Sequence, residues 1–183
     1  MSTFLKLKEK ILNKKLRPDS FDDFKFVSFD EINHKDFYEL IRKKRLQTSF
    51  KKKINITYRK HLNYVRNYKN KPIINYVLIN VKTKKLVGLF SVKKTDIGYE
   101  IGKSILDEKF LGKKIAKRGT IQLIKFFFKI IKKKNIYAMT SKQNIKNINL
   151  NTKLGFIITN IKKKYYIMKL SNVRFYNFCL KKK

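Results

Sequence analysis

The chain has 183 residues, with 47 Lys and Arg against 12 Asp and Glu, a formal net charge of +35 and one cysteine. That length buries one substantial core, and no Pro-, Gly- or Ser-rich stretch divides it, so one domain with a short extension at each end is predicted. Lys125 and Lys129 interrupt the most apolar run, around 121–131, and Cys179 has no partner for an internal disulfide, so neither a membrane-spanning helix nor a disulfide scaffold is expected.

Residues 1–20 read as a basic amphipathic extension, with Phe4, Leu5, Ile11, Leu12 and Leu16 on a helical stripe closed by Arg17-Pro18. The lysines that alternate with these apolar residues rule out a signal peptide, and a cytoplasmic location is the expectation. Phe24–Phe29 alternates as a strand, Asp30 caps a helix through Ile32, Phe37, Leu40 and Ile41, and a second helix starts at Thr57. Ile73 to Val81 and Leu86 to Val92 are predicted to form a hairpin around Lys82-Thr83-Lys84-Lys85, which lacks the usual Asn-Gly turn. Then come a strand over 95–105, a helix over 112–134, a strand over 136–140, a helix over 145–153, and strands over 155–161 and 164–170. In the long helix Ala116, Leu123, Ile124, Phe127, Ile130 and Ile131 recur at helical spacing and are assigned to the core. The tail 171–183 carries Phe175, Tyr176, Phe178 and Leu180, a set suited either to packing back on the domain or to a partner.

Three antiparallel strands followed by strand–helix–strand–helix–strand define a mixed α/β sheet rather than a doubly wound parallel one. The strand that includes Glu100-Ile101-Gly102 leads through the basic turn Leu111-Gly112-Lys113-Lys114-Ile115-Ala116 into the long helix. Such a turn aims backbone N–H groups and the positive end of the helix dipole at one spot, which favours a phosphate. Downstream, Asn144, Asn147, Asn151 and Gly155-Phe156 keep the spacing of Asn-x-x-Ala/Ser-x-x-x-Tyr-x-x-x-Gly-Phe. On these motifs residues 22–170 resemble the GNAT superfamily of acetyl-CoA-dependent N-acetyltransferases, whose turn signature is Gln/Arg-x-x-Gly-x-Gly/Ala. Leu111 and Lys114 depart from that signature, and Ala116 satisfies it.

The resemblance implies the GNAT fold over 21–170, with six to seven strands and about four helices, and acetyl-CoA as donor substrate with no metal. It implies that Ser104, Ile105 and Leu106 hold the pantetheine arm through their backbone, where two strands splay. Leu111, Gly112, Lys113, Lys114, Ile115, Ala116 and Lys117 would bind the diphosphate, with Arg118 in reach, and the Asn144 side chain would bind a pantetheine amide. Glu100 is the candidate base, its alternative being an ion pair with a nearby lysine. Asn151 stands at the usual Tyr place, where a carboxamide can bond the sulfur but cannot act as an acid, and Tyr165 and Tyr166 are the candidate substitutes.

The acceptor is expected to lie against the first two helices. There Arg42, Arg45 and Arg59, unusual in a Lys-rich chain, suit a diphosphate, and His61 is a candidate sugar contact or base. This stretch is similar to bacterial enzymes that acetylate nucleotide-linked amino sugars, as in pseudaminic acid biosynthesis, so the expected partner is an anionic nucleotide sugar. Two alternatives stand beside it: an N-terminal acetyltransferase of ribosomal proteins, and a non-catalytic GNAT domain that binds RNA or an anionic surface. Lysine runs scattered along the chain, alongside abundant Ile and Asn, match A/T-rich coding and read chiefly as solvated surface. The sequence leaves oligomeric state and acyl chain length open.

Overall fold

The structure, a computed structural model, describes residues 2–47 and 56–179. Among the described residues seven strands form one sheet, in the order β1-β2-β3-β4-β5-β7-β6. The strands are β1 (Phe24–Ser28), β2 (Ile73–Asn80), β3 (Leu86–Thr95), β4 (Gly98–Ile105), β5 (Asn135–Ser141), β6 (Ile157–Ile161) and β7 (Tyr165–Ser171). The helices are α1 (Thr3–Asn13), α2 (His34–Gln47), α3 (Tyr58–Arg66), α4 (Ile115–Ile131), α5 (Ile145–Lys153) and α6 (Asn172–Cys179). All pairings are antiparallel except that of β4 with β5. Among the described residues no helix is long and apolar enough to cross a membrane.

Strand alternation divides the apolar residues between two faces. On β2, Ile74, Tyr76 and Leu78 join the core under α1, α4 and α6, while Ile73, Val77 and Ile79 pack with Phe37, Leu40 and Val65 of α2 and α3. The long helix fits its face closely: a Cβ on Gly119 would lie 2.5 Å from the Phe90 ring of β3. Chain termini complete the first face, because Phe4 and Ile11 of α1 and Phe175 of α6 are buried in it. Between Phe4 and Ile11 the stripe carries Lys8, whose ammonium donates to the carbonyls of Tyr68 and Lys71 and lies 3.5 Å from the Tyr68 ring centre. Burial lowers its pKa to about 8.

Several boundaries differ from the sequence expectation. β3 runs on to Thr95, so Asp96 and Ile97 form a turn and β4 starts at Gly98. The long helix is shorter at both ends, because Gly112, Lys114 and Lys132 adopt left-handed backbone. In the β2–β3 hairpin the Asn80 side chain supplies the missing turn signal, accepting from the Thr83 N–H at 2.9 Å and hydroxyl at 3.0 Å.

Candidate active site

The centre of the sheet is open. β4 and β5 pair at a single register position, Glu100 with Tyr137, whereas the other edge of β4 is paired with β3 from Gly98 to Ile105. Backbone polar groups alternate along a strand between its two neighbours. The Leu106 N–H donates to the Val87 carbonyl at 2.8 Å, on the β3 side, so the amides of Lys103 and Ile105 face the unpaired gap. Of the three predicted backbone contacts, Ile105 presents its N–H to the gap, Leu106 is committed to β3, and the Ser104 amide points with it.

Beside the gap lies the N-terminus of α4. Lys114 takes its N-cap place at φ 59°, no side chain among the described residues caps the helix, and its first turn holds no acidic residue. Gly112 sits at φ 76° with open space where a Cβ would be. A lysine thus adopts the backbone conformation that the family signature reserves for glycine. Leu111, Lys113, Lys114 and Lys117 are exposed, while Ile115 is buried and Ala116 half-buried. Arg118 is turned elsewhere: its guanidinium forms a two-pronged ion pair with Asp22, one contact at 2.7 Å.

The two faces of β4 carry different chemistry. Glu100 lies on the α2/α3 face, opposite Lys93 in the β3 register. Among the described residues it has no ion pair, so the expected alternative of a salt bridge is not realised. Burial raises its pKa, and the charge of Lys93 opposes that rise. The other face carries Lys103, which the sequence reading passed over. Its register partner is Phe90, and its ammonium donates to Asn151 Oδ1 at 2.6 Å across the gap. Asn151 is fully buried, and its Nδ2 donates to Thr140 Oγ1 at 3.0 Å. Burial lowers the Lys103 pKa to about 8. A cation between Ile101 and Ile105 on one strand face was the available signal.

Asn144 is at the N-cap of α5, where its Oδ1 accepts from the Asn147 N–H at 3.1 Å, leaving Nδ2 for a ligand. Tyr165 is exposed, and Tyr166 is half-buried, opposite Thr140 in the β5–β7 register.

On the acceptor side, His61 is buried instead of lying on the surface. Its ring stands 6.0 Å from Phe37, 5.7 Å from Tyr38 and 6.2 Å from Tyr58, the last nearly parallel. His34 completes this aromatic group 5.6 Å from His61, and burial lowers the His34 pKa. Arg42 is exposed and bound by Glu39 at 2.9 Å, and the two line a cavity of about 480 Å³ with Asp36, Leu40 and Lys43. The Arg45 side chain lies outside the described residues, as do residues 48–55.

A sheet parted at its centre beside an uncapped, lysine-flanked helix N-terminus defines an acyl-CoA-type transferase architecture. Residues 15–157 match the Acetyltransferase (GNAT) domain family, and the chain belongs to it. No curated protein sequence matches. Among solved structures the chain is similar to spermidine N-acetyltransferase from Vibrio cholerae in complex with CoA and spermine, at 14% identity and TM-score 0.69, covering 84% of this chain and 98% of that one. It is similar also to Campylobacter jejuni N-acetyltransferase PseH in complex with acetyl coenzyme A, at 19% identity and TM-score 0.64, covering 81% and 99%. A third is the ribosomal-protein-S5-alanine acetyltransferase from Vibrio fischeri, at 18% identity and TM-score 0.67, covering 85% and 96%. At these identities the likeness is one of fold.

Proposed function

We propose that this N-acetyltransferase moves the acetyl group of acetyl-CoA to a primary amine on a nucleotide-linked amino sugar. The observation that carries the donor half is the single-residue pairing of β4 with β5 beside the bare N-terminus of α4. An added strand of ligand, such as a pantetheine arm, would find the Lys103 and Ile105 amides unpaired, and a diphosphate would find Gly112 backbone, first-turn amides and three lysines. These residues fit coenzyme A, and the Asn144 Nδ2 suits one of its amides.

When bound, the thioester supplies an electrophilic acetyl carbon and a thiolate leaving group. Glu100, half-buried on the α2/α3 face, takes a proton from the acceptor ammonium and leaves a nucleophilic amine. Of the two free amides, that of Ile105 donates to the carbonyl oxygen as negative charge builds there, which leaves that of Lys103 for the arm. Because the pKa of Glu100 is raised, the acidic limb of the rate profile falls above the ordinary carboxylate range.

Two features support the acceptor half. The exposed Tyr58 ring, backed by Tyr38 and the buried His61, suits a flat base or a sugar face, and a net charge of +35 draws anions and repels a polyamine. Arg42 would have to leave Glu39 to take a phosphate, a modest cost for an exposed pair. The cytoplasm, where acetyl-CoA is made, is the fitting compartment. The test is turnover by the purified chain with acetyl-CoA against UDP-linked 4-amino sugars, N-terminal peptides and spermidine. Turnover confined to peptides or to spermidine rejects the sugar reading, and salt-sensitive RNA binding without acetyl-CoA binding rejects the enzyme altogether.

A further inference from the structure

We propose that Lys103 is the proton donor for the departing thiolate, held at the β4–β5 gap by Asn151. The inference rests on the acetyl-CoA reading above and adds the residue which that reading lacks. Asn151 occupies the place where the family pattern has a tyrosine, and a carboxamide has no proton to give near neutral pH. The structure puts an ammonium on that carboxamide, at 2.6 Å. Asn151 cannot easily swing away, since it is fully buried and its amide is spent on Thr140 at 3.0 Å and Met168 Sδ at 3.7 Å. Thr140 is itself held by Asn147 Nδ2 at 3.2 Å. Three side chains from β5 and α5 therefore aim one lysine from β4 across the space between the two strands.

The surroundings suit proton transfer. Facing Lys103 are Phe90 of β3 in register and, from α5, Asn151, neither of which titrates. Its own strand face holds Ile101 and Ile105, with Tyr99 farther along. Among the described residues no carboxylate forms an ion pair with it, and burial alone lowers its pKa to about 8. An ordinary thiol has a pKa of about 8.5, so donor and acceptor are closely matched, the condition under which a general acid works best. Faces are also divided between the two proton steps, with Glu100 on one side of β4 and Lys103 on the other.

The balance closes. The acceptor enters as an ammonium and loses one proton to Glu100. Its nitrogen then bonds the acetyl carbon, the C–S bond breaks with its electron pair on sulfur, and Lys103 transfers a proton to that sulfur. The nitrogen sheds its second proton on becoming an amide, and that proton restores the Lys103 ammonium. One proton is released per turnover, from Glu100 to solvent.

The first readout needs no turnover and no variant: the thiol pKa of coenzyme A bound to the intact protein, followed by the ultraviolet absorbance of the thiolate. A cation at the sulfur lowers that pKa by about one to three units relative to free coenzyme A. An unshifted or raised value overturns the assignment. In Lys103→Met, which keeps the stem and loses the charge, the shift should vanish and kcat should drop about a hundredfold with acetyl-CoA affinity retained. The alkaline limb of kcat, near the lowered lysine pKa in the wild type, should vanish as well. Tyr166→Phe should keep the limb; if it abolishes the limb while Lys103→Met keeps it, Tyr166 is the donor. Failure of the wild type to bind acetyl-CoA defeats the parent reading, whereas binding and transfer with an unshifted thiol defeat only the role of Lys103.

Discussion

At the scale of single residues, the mouth of α4 stores a small strain. Lys114 holds a left-handed backbone at φ 59°, which costs an L-residue about 1 kcal/mol or more and costs glycine almost nothing. Lys114→Gly should therefore raise the melting temperature or leave it unchanged, and should tighten acetyl-CoA binding if backbone approach outweighs the lost cation; calorimetry and a thermal melt read both. Glu100→Gln should lower turnover about a hundredfold and remove the acidic limb while acetyl-CoA affinity stays the same. Unaltered turnover would remove Glu100 from the role of base. Glu100 could be picked out in the sequence because Glu100-Ile101-Gly102 lies on the strand that leads into the basic turn. Lys103 was passed over although it stands between Ile101 and Ile105 on one strand face, because a single lysine draws little notice in a chain with so many. His61 was a candidate on sequence, but its burial depends on α2, through Phe37, and α3 closing over Phe29, a tertiary fact with no local signature.

At the scale of elements, the seat of α4 on β3 depends on Gly119. A methyl group there meets the Phe90 ring, so Gly119→Ala should destabilise the fold by about 1–3 kcal/mol despite its better helix propensity, as a denaturant titration would read. It should also weaken acetyl-CoA binding, because the proposed diphosphate site lies at the N-terminus of that helix. Asn144 caps α5 and is proposed to bind a pantetheine amide, so Asn144→Ala should cost about 1 kcal/mol in stability and weaken acetyl-CoA binding. The same cap explains why the bounds of α5 could be read from sequence, an Asn opening it and a Gly following it. The start of β4 could not be read this way: Ile97 looks like strand, yet it projects into solvent in a turn fixed by the β3–β4 register.

At the scale of the whole molecule, one buried and one half-buried lysine set a pH dependence. Lys8 and Lys103 have native pKa values of about 8, below the 10.5 of the free side chain, so the unfolded chain binds more protons between those values. Stability should then rise as pH climbs from about 8 toward 10.5, against the usual trend, and Lys8→Met should flatten part of that rise. Urea midpoints across this range test it.

The parted centre of the sheet has a mechanical consequence. Strands β1–β4 and β5–β7 are two laddered halves joined edge to edge at one residue, with one apolar core running beneath both. A ligand chain that lies in the cleft and bonds both edges would work as a suture, welding the halves into one continuous ladder. Donor binding should then slow hydrogen exchange most at Lys103 and Ile105, and raise cooperativity of unfolding along with the midpoint.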